Sequence, residues 1–122
     1  MFHLKVFDYF SSAHFLEGYS GKCESLHGHN WKVEIEVEGE KLDKIGMLVD
    51  FTILKKNLSD ILKEMDHRLL NDMEAFKNNN PSAELISKYI YERMRKTLPE
   101  GVNISGVAVW ESERSQAVYT GK

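Results

Sequence analysis

The sequence predicts an α+β domain: a four-stranded antiparallel sheet carrying two helices on one face, in the chain order ββααββ. Three observations lead there. From His29 onward the residues alternate, with His29, Trp31, Val33, Ile35 and Val37 on one parity and Asn30, Lys32, Glu34, Glu36 and Glu38 on the other. That is the period of a half-buried strand, and it puts His29 on the buried side. Two stretches of helical spacing occupy the middle of the chain, and two short strand-like runs, ISGVAVWE and SQAVYTG, close it.

The opening HLKVFDYF reads as an aromatic-rich strand paired antiparallel with the first, through a loop that holds CESLHGH. Gly39 to Gly46 is a charged connection. Behind Asp50, a predicted N-cap, residues Phe51, Leu54, Leu58, Ile61, Leu62 and Met65 fall on one helical face. DHRLLNDMEAFKNNN ends that helix in polar residues. Asn80-Pro81 reads as the next N-cap followed by proline at the first helical position, and Leu85, Ile86, Tyr89, Ile90 and Met94 supply the second apolar stripe. The final two strands turn around Ser112 to Arg114. One sheet face and both sheet edges would then be left for solvent or for other subunits.

The length of 122 residues predicts one domain over residues 1–122, with a single core. Hydrophobic residues make up 42% and charged residues 29% of the chain, with no long uncharged apolar run, so a soluble protein is expected rather than a membrane one. The start MFHLKVFDYF lacks the basic flank and cleavage site of a signal peptide, which makes the cytoplasm the expected address. A net charge of -3 argues against a nucleic-acid partner.

The chemistry concentrates in CESLHGHN, which holds the lone cysteine and two of the five histidines. His27 and His29, two apart in an extended backbone, project from one face. His14, at the end of the preceding strand in FSSAHFL, lies close to the same loop if the strands pair. One such histidine alone is more often a satisfied polar residue; HxH with a third on the neighbouring strand favours a metal ion with an open coordination position. Cys23 admits three roles: an inert buried thiol, a fourth ligand closing the site, or a reactive thiolate. Asp66-His67 pairs a carboxylate with an imidazole, but adjacent helical residues do not face each other, so the pair must lie where the helix unwinds. Glu111 shares a parity with Val107 and Val109, and a carboxylate there needs a partner, such as a ligand with paired N–H donors or an arginine. Glu84 reads as an ordinary first-turn glutamate.

FSSAHFL, GKCESLHGHNW, VDFTILK, DHRLLN, NPSAE and VWES, in that order across nearly the whole chain, resemble the 6-pyruvoyltetrahydropterin synthase family, in particular its 6-carboxytetrahydropterin synthase branch of queuosine biosynthesis. The resemblance implies the tunnelling fold, in which subunits assemble their sheets into a barrel, as a trimer or a homohexamer of two stacked trimers. It implies zinc (Zn2+) on His14, His27 and His29, with Cys23 as the proton-abstracting thiolate. Asp66 and His67 become the activating partners, and Glu111 becomes the anchor for the amino-pyrimidinone edge of a pterin. Ser82 fits the hydroxyl residue after the family's proline. Ala83 stands where another hydroxyl is often found, leaving the backbone there to help hold the pterin. The implied substrate is 7,8-dihydroneopterin triphosphate, converted to 6-carboxy-5,6,7,8-tetrahydropterin with release of acetaldehyde and triphosphate. A pyruvoyl-forming enzyme is the alternative within the family, and a non-catalytic zinc or pterin-binding module the alternative outside it. Lys22, Arg68, Arg114 and Lys122 are candidates for the triphosphate.

Overall fold

The computed structural model describes residues 1–18 and 25–122. Two long strands, β1 (Phe2–His14) and β2 (His27–Gly39), form an antiparallel pair in continuous register. Helices α1 (Phe51–Lys63) and α2 (Ala83–Arg95) follow, separated by 3-10 turns at Leu70–Asp72 and Glu74–Phe76. Strands β3 (Asn103–Ser112) and β4 (Ser115–Tyr119) complete a sheet of order β1-β2-β3-β4. The expected α+β architecture is therefore present.

Alternation becomes packing through the register. Val6 lies opposite Ile35 and Phe10 opposite Trp31, while Val33 and Ile35 face Val109 and Val107. These side chains form one buried layer. Leu54, Leu58, Ile61 and Leu62 of α1 and Ile86, Ile90 and Met94 of α2 cover it from one side. Burying such side chains supplies most of the driving force for folding, about 1.5–3 kcal/mol for each large one. A bulge between Glu36 and Val37 inserts Ser105 into β3, which is why Ile104 and Val107, on opposite parities, both reach the core.

The Asp50 carboxylate accepts from the Thr52 N–H at 2.8 Å, as an N-cap should. Phe51, by contrast, is half exposed, because the first residue of α1 lies beyond the edge of the core. The start of α2 also departs from expectation. Its N-cap is Ser82, whose hydroxyl accepts from the Leu85 N–H, and Pro81 lies just outside the helix. Proline has no N–H to satisfy at this position, and its carbonyl accepts from a ring nitrogen of His14.

One sheet edge is partly covered. Past the end of α1 the chain turns back along β1: the His67 N–H donates to the Ser11 carbonyl at 2.6 Å, and the Ala13 N–H donates to that of Arg68 at 3.1 Å. His67 takes a left-handed backbone conformation, φ 55°, to make this turn. Segment 66–69 thus occupies one end of an edge expected to be free.

Arg93 of α2 grips Glu64 at the end of α1, its Nη2 lying 2.8 Å from Oε1, with Nη1 shared between Oε2 and the Tyr89 hydroxyl. The guanidinium holds the Glu64 carboxyl below its ordinary range. A carboxyl whose pKa is lowered by folding stabilises the fold above its unfolded value near 4.5, and that contribution is lost as pH falls through the folded value. Glu64→Gln is expected to cost about 0.5–1 kcal/mol at pH 7, discounted for solvent exposure, and much less at pH 3. Equal losses in thermal melts at both pH values would remove the ion pair as the cause.

Candidate metal centre and surrounding site

His14 ends β1 and lies directly opposite His27, which begins β2, while His29 faces Ser12. Strand pairing thus converts three separated positions into one cluster. The His14 ring lies 4.5 Å from that of His27 and 5.3 Å from that of His29, centroid to centroid. Trp31 forms the floor, 4.9 Å from His14 and 5.1 Å from His29, with its indole N–H donating to the Ser12 carbonyl.

The hydrogen bonds determine how each ring presents itself. His14 Nδ1 donates to the Pro81 carbonyl at 2.8 Å, and His27 Nδ1 donates to the Ser25 carbonyl at 2.7 Å. A carbonyl can only accept, so in both neutral rings Nε2 carries the lone pair. Those two Nε2 atoms lie 3.0 Å apart. Two lone pairs cannot hydrogen-bond to each other, but two nitrogens on one tetrahedral zinc lie about 3.3 Å apart. Among the described residues, the buried His29 Nε2 has no hydrogen-bond partner. Burial pushes the pKa of both His14 and His29 down, favouring the neutral, ligating form. The donor set therefore fits a divalent cation.

Glu111 joins this group: one donor atom from each of His14, His27, His29 and Glu111 lies within 4.8 Å of all the others. Among the described residues these four are the group that could hold a metal ion. Glu111 sits where the pairing of β3 with β4 shifts register between Trp110 and Ser112. Such a bulge re-aims a side chain. Its carboxylate comes to 3.6 Å from His29 Nε2, too long for a hydrogen bond. The carboxylate predicted to need a partner thus meets imidazoles. On its other side, Glu111 shares a shallow hollow with Ala83 and Glu84 at the start of α2 and with Ala117 on β4. Ser82, just before them, spends its hydroxyl on capping the helix.

Asp66 and His67 form the expected pair, 2.8 Å from Oδ2 to Nδ1, at the turn following α1. Asp66 accepts from the Ser11 N–H at 2.8 Å, and this bond, followed by the one from His67, holds its carboxyl below the ordinary range. His67 is largely exposed and stands outside the metal-binding group, although it shares an open hollow with His29 and Arg68. Arg114 and Lys122 are exposed, at the β3–β4 turn and beyond β4. Cys23 and Lys22 lie outside the described residues. Sequence reasoning missed the Pro81 and Ser25 carbonyls and the membership of Glu111 in the metal-binding group; a proline immediately before an N-cap serine was the available signal for the first.

Fold and site together define a class: a small sheet-and-helix protein with, at one end of its sheet, a histidine-rich cluster that could hold a metal ion. The 6-pyruvoyl tetrahydropterin synthase family model matches residues 3–122, and the chain belongs to that family. It is an enzyme, a lyase of the 6-carboxytetrahydropterin synthase-like kind. The 6-carboxy-5,6,7,8-tetrahydropterin synthase of Bacillus subtilis is 36% identical, with 99% of this chain and 86% of that protein aligned. The dihydroneopterin monophosphate aldolase of Pyrococcus furiosus is 43% identical over 72% of each chain. The structure of Caenorhabditis elegans 6-pyruvoyl tetrahydropterin synthase superposes with a TM-score of 0.87 at 31% identity, covering 99% of this chain and 96% of that one.

Proposed function

We propose that the protein converts 7,8-dihydroneopterin triphosphate to 6-carboxy-5,6,7,8-tetrahydropterin, releasing acetaldehyde and triphosphate, as a step of queuosine biosynthesis, with residues 1–122 acting as one catalytic domain. The observation that carries this reading is the facing pair of histidine Nε2 atoms beside the Nε2 of His29, which has no partner among the described residues. In this reading His14, His27 and His29 hold Zn2+, which when bound polarises substrate oxygen and makes neighbouring carbon-bound protons more acidic. Cys23 removes such a proton as a thiolate. Asp66 keeps the proton of His67 on Nδ1 and leaves Nε2 free to accept one. Glu111 accepts the paired N–H donors of the pterin edge, with the Ser82–Ala83 backbone beside it, and Arg68 is a candidate for the triphosphate.

Incubating the purified protein with 7,8-dihydroneopterin triphosphate, then separating the pterins and assaying acetaldehyde, tests the reading. A 6-carboxy product with matching acetaldehyde supports it. A pyruvoyl product without acetaldehyde would favour the chemistry named for the C. elegans protein. Turnover of dihydroneopterin monophosphate alone would favour that named for the P. furiosus protein. No consumption of either substrate leaves the binding module.

Glu111 tests separately. Glu111→Gln keeps the size of the side chain but presents one donor where the carboxylate presents two acceptors, so the variant is expected to keep its metal and to raise KM at least about tenfold, the loss of a charged hydrogen bond. Loss of metal together with activity would make Glu111 a fourth ligand instead.

The sheet supports a homo-oligomer. The β4 edge, most of the β1 edge and the helix-free face, where Phe7 and Tyr9 are more than half exposed, suit pairing with further copies. Light scattering is expected to give a mass of three or six chains. A single-chain mass across dilute and concentrated samples would count against this.

A further inference from the structure

Three aromatic rings share one face of β2, because His27, His29 and Trp31 follow one another at every second residue. An imidazole that binds a metal ordinarily has a partner for the N–H of its other ring nitrogen, which fixes how the ring points. Two of the three proposed ligands have one: the Pro81 carbonyl accepts from His14 and the Ser25 carbonyl from His27. No such carbonyl meets His29 among the described residues, where its Nε2 has no hydrogen-bond partner. Its neighbours are rings instead. Centroid to centroid, His27 lies at 4.7 Å, Trp31 at 5.1 Å and His14 at 5.3 Å, with interplanar angles of 88°, 74° and 75°.

Of these three rings only Trp31 offers no lone pair to a metal, and it is held without one. The indole is fully buried and stacks on Phe10 at 5.9 Å and 7°. Its N–H donates to the Ser12 carbonyl at 3.3 Å, and the Ser12 hydroxyl donates in turn to the Met65 carbonyl at 2.9 Å, just past α1. The same indole meets the His14 ring at 4.9 Å and 85°. In an edge-to-face pair the positive edge of one ring lies against the negative face of the other, so tilting either ring loses the contact. A fixed indole therefore restricts the tilt of both imidazoles packed on it, and for His29 it does so where no carbonyl does.

We propose that Trp31 is the positioning residue of His29: the buried indole holds that imidazole edge-to-face, in place of the carbonyl that orients each of the other two, and so keeps its donor nitrogen within reach of the point shared by His14, His27 and Glu111. This rests on the reading of His14, His27 and His29 as a zinc site. The indole offers no donor to the ion, so its effect passes through His29 and is read as affinity for the metal alone.

The experiment titrates metal-free protein with zinc against a chromophoric chelator, below the melting temperature of each variant. Trp31→Leu keeps apolar bulk but no ring, and it is expected to weaken zinc binding about 10- to 100-fold, the loss typical of a ligand's supporting partner. Trp31→Phe keeps a ring and gives up only the N–H, so its affinity is expected to stay within about threefold of the unaltered protein. Leu58→Ala is the control: it opens a cavity under α1 and lowers stability, and it is expected to leave zinc affinity unchanged. Phe10→Leu removes the ring stacked on the indole and is expected to weaken zinc by a smaller factor than Trp31→Leu; it decides the matter if Trp31→Leu does not fold. Unchanged affinity in the deciding variant would overturn the proposal. So would equal losses in Trp31→Phe and Trp31→Leu, or a loss in Leu58→Ala as large as that in the deciding variant. Unaltered protein that binds no zinc overturns the site and the role of Trp31 with it, whereas protein that binds zinc but fails to convert the pterin sinks the proposed reaction and leaves Trp31 to be judged by the titration.

Discussion

Cys23→Ala is expected to keep its full complement of zinc and to bind the pterin, yet to lose about 10²- to 10⁴-fold in turnover, the contribution of a positioned proton-transfer group. Cys23 stands four residues before His27 and nine after His14, so a thiolate there can be stabilised by a cation held on those imidazoles without binding it. In the proposed reading three histidine nitrogens hold the ion and its fourth position is left for substrate oxygen, so no sulfur is needed in the coordination. A structural ligand would behave in the opposite way: the alanine variant would lose zinc or stability. Zinc analysis and turnover measured on the same preparation separate the two, and a variant that keeps both would leave Cys23 as neither base nor ligand.

His29→Ala is expected to lower zinc affinity by more than about 100-fold, beyond the 10- to 100-fold typical of residues that only support a ligand, and to abolish turnover with it. Of the three proposed ligands His14 and His27 would remain, and the buried nitrogen that has no other partner among the described residues would be gone. Zinc content that survives the substitution would rule out this site. The same histidines make the metal-free protein sensitive to acid. Burial lowers the pKa of His14 and His29 in the folded chain below 6.5, so between those values the unfolded chain binds more protons and stability falls as pH falls. Metal-free protein is therefore expected to melt at a lower temperature at pH 5.5 than at pH 7.

Much of this site was legible in the sequence. An HxH spacing on an alternating strand places two imidazoles on one face in whatever fold that strand joins, because the period of a strand is a local property of the backbone. The same holds for the two helices, whose apolar stripes name their buried faces; only Phe51, at the outer end of α1, was misassigned. The N-cap of α2 was misread by two residues because Asn80, Pro81 and Ser82 are all acceptable there by local chemistry, and what decides among them is the pairing of Asn80 with Glu17. Asp66-His67 could be inferred to lie off the helix, but not that the pair would be fastened along the β1 edge.

By itself the sequence determined the element order, the buried parity of β2, the buried faces of the two helices and the residue types able to hold a metal, since these follow from periodicity and side-chain chemistry. Tertiary structure decided which atoms face one another. The tautomers of His14 and His27 depend on carbonyls at Pro81 and Ser25, and the aim of Glu111 depends on a register shift against β4. These are relations between backbone groups distant in sequence or displaced by a single residue of register. A pattern of side-chain types carries no record of them, because every residue but proline offers the same backbone donor and acceptor.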